Sequence, residues 1–188
     1  MKFKALIRQY FEKTFQNIET DNNLDSTKGF MKVVLIAMIQ FLFFIVLFPL
    51  IYDTNDDFYM NAIASGAYSG SPSEYLVYTN IIIGKVLKLF YTILPEINWY
   101  TVYMMLSLFM GYVAIQFSFY RLKTNYAIRI IRHTLVLAVL FLSITESGFT
   151  RVASIVAAGG FLMVITYNRK NYFLLFFAIF LIVLSFLI

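Results

Sequence analysis

Apolar residues run almost unbroken over residues 33–51, with Gln40 as the one strongly polar side chain among them. Further apolar runs cover residues 99–120, 133–145, 152–167 and 172–188. A bilayer-spanning helix needs about 20 such residues. Barrel strands would instead show alternation over about ten residues, and the chain has none. The pattern predicts an all-α, polytopic membrane protein with about five transmembrane helices. The third and fourth runs are short for a full span, which would sink the polar junction at residues 146–151 below the headgroups. Such a turn is tolerated where it lines a water-filled site.

Residues 76–94 are also apolar, but Lys85, Lys88 and Thr92 recur at helical spacing and give the segment one polar face. That pattern predicts an amphipathic helix lying in the interface. Ser71-Pro72-Ser73-Glu74 reads as its capping box with proline at the first helical position, and Pro95 as its end. A shorter helix is expected over residues 58–64. At the amino terminus Phe3, Leu6, Ile7, Tyr10 and Phe11 form an apolar face among Lys2, Lys4, Arg8 and Lys13, a pattern suited to an anionic membrane surface. The organisation expected is therefore an amphipathic helix and linker at residues 1–29, then a transmembrane domain at 30–188 whose first loop, 52–98, carries surface helices.

Charge sets the expected orientation. Twelve of the fifteen basic residues fall on one side if residues 52–98 stay outside, whereas Asp53, Asp56, Asp57, Glu74, Glu96 and Glu146 fall on the other. The positive-inside rule then puts the amino terminus in the cytoplasm. Trp99, Tyr100 and Tyr103 mark one boundary, and Tyr120, Tyr167 and Tyr172 the other, as an aromatic belt would. Counting 76–94 as a span would place Arg121, Lys123, Arg129 and Arg132 outside, against the rule.

Composition agrees with the pattern: 61% of the 188 residues are hydrophobic, 13% are charged, and mean hydropathy is +0.76. No soluble domain is expected. The net charge of +5 lies at membrane boundaries and does not point to nucleic acid. There is no cysteine, hence no disulfide, thiolate metal site or thiol nucleophile. His133 stands alone beside Arg132 and reads as an interfacial residue. There is no phosphate-cradling glycine loop and no histidine metal pattern. Gly159-Gly160 reads as a place of close helix packing.

The candidate chemistry lies in Asp53, Asp56 and Asp57, directly after the first apolar run. Asp56 and Asp57 admit two readings. One is a helix cap favoured by the helix dipole. The other is a general base or metal-binding pair, in which one carboxylate acts and the other supports, because neighbouring side chains diverge. Arg151 likewise reads as a snorkelling or Glu146-paired residue, or as a phosphate clamp with forked donors. Glu74 and Lys85, at the membrane surface, are candidate substrate contacts; Lys85 and Lys88 also fit a solvated face.

The run from Asn55 to Leu106, NDDFYMNAIASGAYSGSPSEYLVYTNIIIGKVLKLFYTILPEINWYTVYMML, resembles the first outer loop of bacterial multi-pass proteins of the C-type (GT-C) glycosyltransferase superfamily. Those proteins place an acidic pair and two surface helices after the first span, and Gly148-Phe149-Thr150-Arg151-Val152-Ala153 is weakly similar to a motif opening a later span. The resemblance implies transfer of a sugar from a polyprenyl-phosphate donor in the outer leaflet of a bacterial plasma membrane to a cell-surface glycan or lipid-linked acceptor. It implies Asp56 or Asp57 as general base and Arg151 as phosphate clamp. Some members use a divalent cation; no metal ligand set is assigned here. Members usually have more spans than five. The chain ends at Ile188 within apolar sequence, which fits the amino-terminal part of a larger membrane protein, or a chain completed by a membrane partner. The alternative is a non-enzymatic assembly or export component for surface polysaccharide, held by helix contacts at Gly159 and Gly160. A transporter is less favoured, because Gln40, Ser107 and Gln116 are the main polar residues at mid-span and none is ionisable.

Overall fold

A computed structural model describes residues 27–53, 55–167 and 171–188. In chain order its elements are α1 (Thr27–Leu47), β1 (Ile51–Tyr52), α2 (Asn55–Ser65), α3 (Ile81–Ile93), α4 (Trp99–Arg121), α5 (Tyr126–Thr145), β2 (Glu146–Ser147), α6 (Phe149–Ile165) and α7 (Tyr172–Leu187). The amphipathic helix expected at the amino terminus, with Phe3, Leu6, Ile7, Tyr10 and Phe11 on its apolar face, lies outside the described residues, as do Arg169 and Lys170.

Among the described residues three helices are long and apolar enough to cross a membrane: α1, α4 and α5, of 21, 23 and 20 residues. α6 and α7 are apolar but shorter, at 17 and 16 residues. At 1.5 Å per residue they reach about 25 Å. The expectation of about five spans thus divides into three helices that satisfy the length and two that fall short of it.

α4 is the hub. It packs along α6, which packs in turn on α7, while α1 and α5 lie against its other sides. Accordingly 61% of the apolar window of α4 is buried, against 22% for α1 and α5, whose remaining faces are apolar and exposed as lipid-facing helices would be. Glycines set the α4–α6 distance. A Cβ on Gly159 would sit 2.6 Å from the Gly111 carbonyl oxygen, and one on Gly111 would sit 2.9 Å from Val156 Cα. Backbones meet there as small residues allow in membrane helices. Gly160 faces α7, where a Cβ would lie 2.8 Å from Ile182 Cγ1. Both glycines are therefore packed within the bundle.

The bundle has two chemically different ends. At the basic end, Phe30 of α1 meets Phe117 of α4 and Phe173 and Phe177 of α7, with ring centroids 5.1, 6.1 and 5.8 Å apart. At the acidic end, β1 pairs in parallel with β2, Ile51 opposite Glu146 and Tyr52 opposite Ser147. Two chain segments that both leave apolar helices are thereby fastened together. Asn80 Nα–H also donates to the Leu187 carbonyl at 2.9 Å, bringing the last turn of α7 to this end.

Two expected boundaries change. α5 runs from Tyr126, not from His133, because Asn125 caps it (its side chain accepts from the Ile128 amide) and Arg129, Arg132 and His133 ride its first turns. It is thus a full-length span. The surface helix begins at Ile81, not at Pro72. The Ser71–Glu74 box does not form; Asn80 caps the helix, and residues 71–80 cross over α3 so closely that the Glu74 carbonyl occupies the space of a Gly84 side chain. Glu74 bonds Lys88 at 2.5 Å instead of a backbone amide. The short helix expected at 58–64 is present as α2, with Asp56 and Asp57 in its first turn.

Candidate functional site

The acidic end gathers residues from three separate segments. β1 delivers Asp53, whose amide donates to the Ser147 carbonyl at 2.9 Å. α2 delivers Asp56 and Asp57, and the β2–α6 junction delivers Glu146, Gly148, Phe149 and Arg151.

The two neighbouring aspartates part company. Asp56 is exposed, whereas Asp57 is completely buried. The Asp57 carboxylate accepts the Tyr100 hydroxyl proton at 2.8 Å and the Phe149 amide proton at 3.1 Å, both on Oδ1. Phe149 is the first residue of α6, and Gly148 before it has no side chain to cap the helix. Asp57 therefore acts as the cap of α6 from 92 residues away, with its negative charge at the positive end of the helix. Gly148 lies between the two acids: a Cβ there would stand 3.5 Å from Asp53 Oδ2 and 3.6 Å from Asp57 Oδ2. Next to it the Phe149 ring stacks on Tyr78 with centroids 5.2 Å apart.

Arg151 ties the same junction together on its open side. Its Nη2 pairs with Asp53 at 3.1 Å and with Glu146 at 3.6 Å. Its Nη1 donates to the Leu142 carbonyl at 2.9 Å and to the Glu146 carbonyl. These carbonyls belong to the end of α5, where orphan oxygens and the negative dipole end attract a cation. The Arg151–Glu146 pairing read from the sequence is present, joined by Asp53.

Beside Arg151 is a hollow of about 240 Å³ lined by Val139, Leu142, Ser143, Glu146, Arg151, Ser154 and Ile155. The Ser143 and Ser154 hydroxyls are turned back onto their own helices, to the Val139 and Thr150 carbonyls. The hollow is thus lined by charged Glu146 and Arg151 and by apolar Val139, Leu142 and Ile155. A second hollow of about 140 Å³, lined in part by Tyr52, Asn98, Thr101 and Ser147, lies behind β1. There the Tyr52 hydroxyl meets Thr101 Oγ1 at 2.6 Å, and burial raises the phenol above its ordinary value.

The remaining candidates stand elsewhere. Glu74 is paired with Lys88 on α3, which holds its carboxyl below the usual range. Lys85 is exposed on the same helix. Among the described residues no group of three or more His, Asp and Glu side chains is arranged to hold a metal ion, so the divalent cation has no ligand set here.

No protein-family model, no curated protein and no solved structure matches this chain.

Sequence reasoning missed three participants: Asp53 as the partner of Arg151, Tyr100 as a donor to Asp57, and the Phe149 amide. The β1–β2 pairing that assembles them is two residues long and leaves no periodic signal. Tyr100 was read as a belt residue, yet it is fully buried.

Proposed function

We propose that this chain is a membrane glycosyltransferase, or the amino-terminal part of one, that moves a sugar from a polyprenyl-phosphate donor to a glycan or lipid-linked acceptor at the acidic end. The observation that carries this reading is the amphipathic hollow beneath Arg151. Its apolar lining suits a lipid chain, and Arg151 beside it suits the phosphate joined to that chain. The acceptor hydroxyl oxygen attacks the anomeric carbon, the bond to the phosphate breaks, and a carboxylate takes the hydroxyl proton. One displacement inverts the anomeric centre. A general base contributes about 10²–10⁴-fold. Exposed Asp56 suits that role better than Asp57, which is enclosed and already accepts two hydrogen bonds. Arg151 would exchange a carboxylate partner for the donor phosphate. On this reading the acidic end faces the outside of a bacterial plasma membrane.

Full-length chain in membranes, given a polyprenyl-phosphate donor with a radiolabelled hexose, tests it. Label should enter the acceptor; Asp56→Asn should abolish transfer with thermal stability retained, and Arg151→Ala should abolish it with some loss of stability, because it also unties the junction. Transfer no greater than from membranes lacking the chain would reject the proposal.

The burial of Asp57 favours a second reading, in which the acids are struts of a non-enzymatic assembly or export component. In that case Asp56→Asn leaves surface polysaccharide unchanged, while Asp57→Ala disturbs it only by unfolding the protein.

A further inference from the structure

The basic end carries its own site, independent of the sugar-transfer reading. α5 packs on α4 and only sparsely on α6, its neighbour in sequence. The gap is an apolar groove of about 390 Å³, walled by Leu108, Ile115, Leu135, Val139, Ala158 and Leu162 among others. At its basic end Arg132, Phe119 and Val136 also line a recess of about 20 Å³ with Arg129, His133, Tyr120 and Gln116. One arginine therefore sits where an apolar channel meets a cationic recess.

Arg132 is held in place for this. Its Nη2 donates to Thr124 Oγ1 at 2.5 Å and to the Leu122 carbonyl at 3.3 Å, and its guanidinium lies 5.5 Å from the centre of the Phe119 ring. Its Nε is buried with no hydrogen-bond partner. Arg129 is exposed beside it. All the carboxylates among the described residues belong to the opposite end, so no described acid neutralises the pair. Guanidinium groups match phosphate oxygens with forked donors.

We propose that this groove and recess hold an anionic phospholipid of the leaflet at the basic end, its phosphate on Arg129 and Arg132 and one acyl chain between α5 and α6. The two guanidinium groups favour an anionic lipid over a zwitterionic one. The groove selects a lipid over free phosphate, since its walls offer a chain nothing but hydrocarbon. From Arg132 to Val139 along α5 is about 10 Å of rise. That distance stays within one leaflet of a core about 30 Å thick.

Native mass spectrometry of the full chain in detergent tests this, using phosphatidylglycerol and phosphatidylcholine of identical acyl chains. At about 1 kcal/mol per basic residue near the surface, two arginines should favour phosphatidylglycerol roughly tenfold or more. Arg129→Gln with Arg132→Gln should bring the two lipids to parity, whereas Arg132→Lys should retain the preference. Ala158→Phe, on an exposed groove wall where the ring meets no packed neighbour, should weaken retention of both lipids. Equal retention by the wild-type chain would overturn the proposal. So would a preference that survives loss of both arginines, displacement of the lipid by inorganic phosphate alone, or unchanged retention in Ala158→Phe. Stronger retention of polyprenyl phosphate than of phosphatidylglycerol at this end would overturn the choice of occupant. Because Arg129 is exposed, its single substitution reads out the charge effect even where Arg132→Gln impairs folding.

Discussion

The Asp57 carboxylate caps the Phe149 amide at 3.1 Å and so joins the start of α2 to the start of α6. Tyr100 of α4 donates to the same oxygen at 2.8 Å, which makes Asp57 the point where three helices are tied. Asp57→Ala leaves a buried hydroxyl and a helix-end amide without their acceptor. Hydrogen bonds to charged groups are worth about 1.5–3 kcal/mol and a lost cap about 1 kcal/mol, so a loss of about 3 kcal/mol is expected. Asp57→Asn keeps an acceptor oxygen and loses mainly the charge at the helix end, about 1 kcal/mol. Asp56→Ala, on the exposed side, should stay within about 0.5 kcal/mol. Thermal unfolding in detergent orders the three; an Asp57→Ala variant as stable as the wild type would show that this tie is not made.

Backbone contact between α4 and α6 predicts a steep response to small side chains. Gly111→Ala sets a methyl against Val156 backbone, and Gly159→Ala sets one against the Gly111 carbonyl and the Ala114 methyl. Neither neighbour is the free end of a flexible side chain, so the helices must separate; overpacking of this kind costs about 1–3 kcal/mol. Gly160→Ala meets Ile182 Cγ1 first, which can change rotamer, although the Ala178 carbonyl 3.0 Å away limits the relief. The expected order of melting temperatures is wild type, Gly160→Ala, then Gly159→Ala and Gly111→Ala together. A Gly159→Ala protein more stable than Gly160→Ala would contradict the packing.

Class, helical architecture and the segregation of charge were legible because each is written in runs of many residues. α4 follows its apolar run almost residue for residue, Trp99–Arg121 against an expected 99–120. The start of α5 was hidden because Arg129 and Arg132 interrupt the hydropathy while the helix continues beneath them. The Ser71–Glu74 signal failed because Lys88, 14 residues away, takes the glutamate that a capping box requires. At the acidic end the cluster of aspartates was visible, but their division was not. Which of two adjacent carboxylates turns inward depends on the β1–β2 register and on Tyr100, neither of which local sequence encodes. In the same way, Gln40, Gln116 and His133 were seen separately and meet only when α1, α4 and α5 are assembled.

The Glu74–Lys88 pair predicts a pH response of the segment that crosses α3. The lysine holds the Glu74 carboxyl below its ordinary value of 4.5, so the pair stabilises the fold above that value. Its contribution fades as pH falls from there through the lower native value. Both partners are partly exposed, Lys88 more than Glu74, so the effect should be small and weakened by salt. Proteolysis within residues 66–80 should become faster as pH falls from 5 toward 3, as judged by an acid-active protease against an unfolded peptide of the same segment. Lys88→Met should remove that dependence. If acid leaves the segment as resistant as before, or if Lys88→Met behaves as the wild type does, the pair is not holding it.

Gln40 is the polar tether of α1. Its carbonyl oxygen accepts from the Tyr112 hydroxyl at 2.7 Å and from Gln116 Nε2 at 2.5 Å, and its amide donates to His133 Nε2 at 3.2 Å. Gln116 also donates to the Tyr112 hydroxyl, so α1, α4 and α5 share one network within an apolar bundle. Gln40→Leu fits the apolar surroundings of α1 but breaks three hydrogen bonds, leaving Tyr112 and Gln116 with only each other and His133 Nε2 without its amide donor. Hydrogen bonds between membrane helices average about 0.6 kcal/mol, so the loss should be about 2 kcal/mol. Removing Gln116 as well takes away one of the donors that lost an acceptor. The double variant Gln40→Leu, Gln116→Leu should therefore be less destabilised than the sum of the singles, a coupling that a double-mutant cycle measures directly. Additive losses would mean that the two glutamines do not bond, and α1 would then be held by Phe41 against Phe109 and by the buried Ala37 rather than by this network.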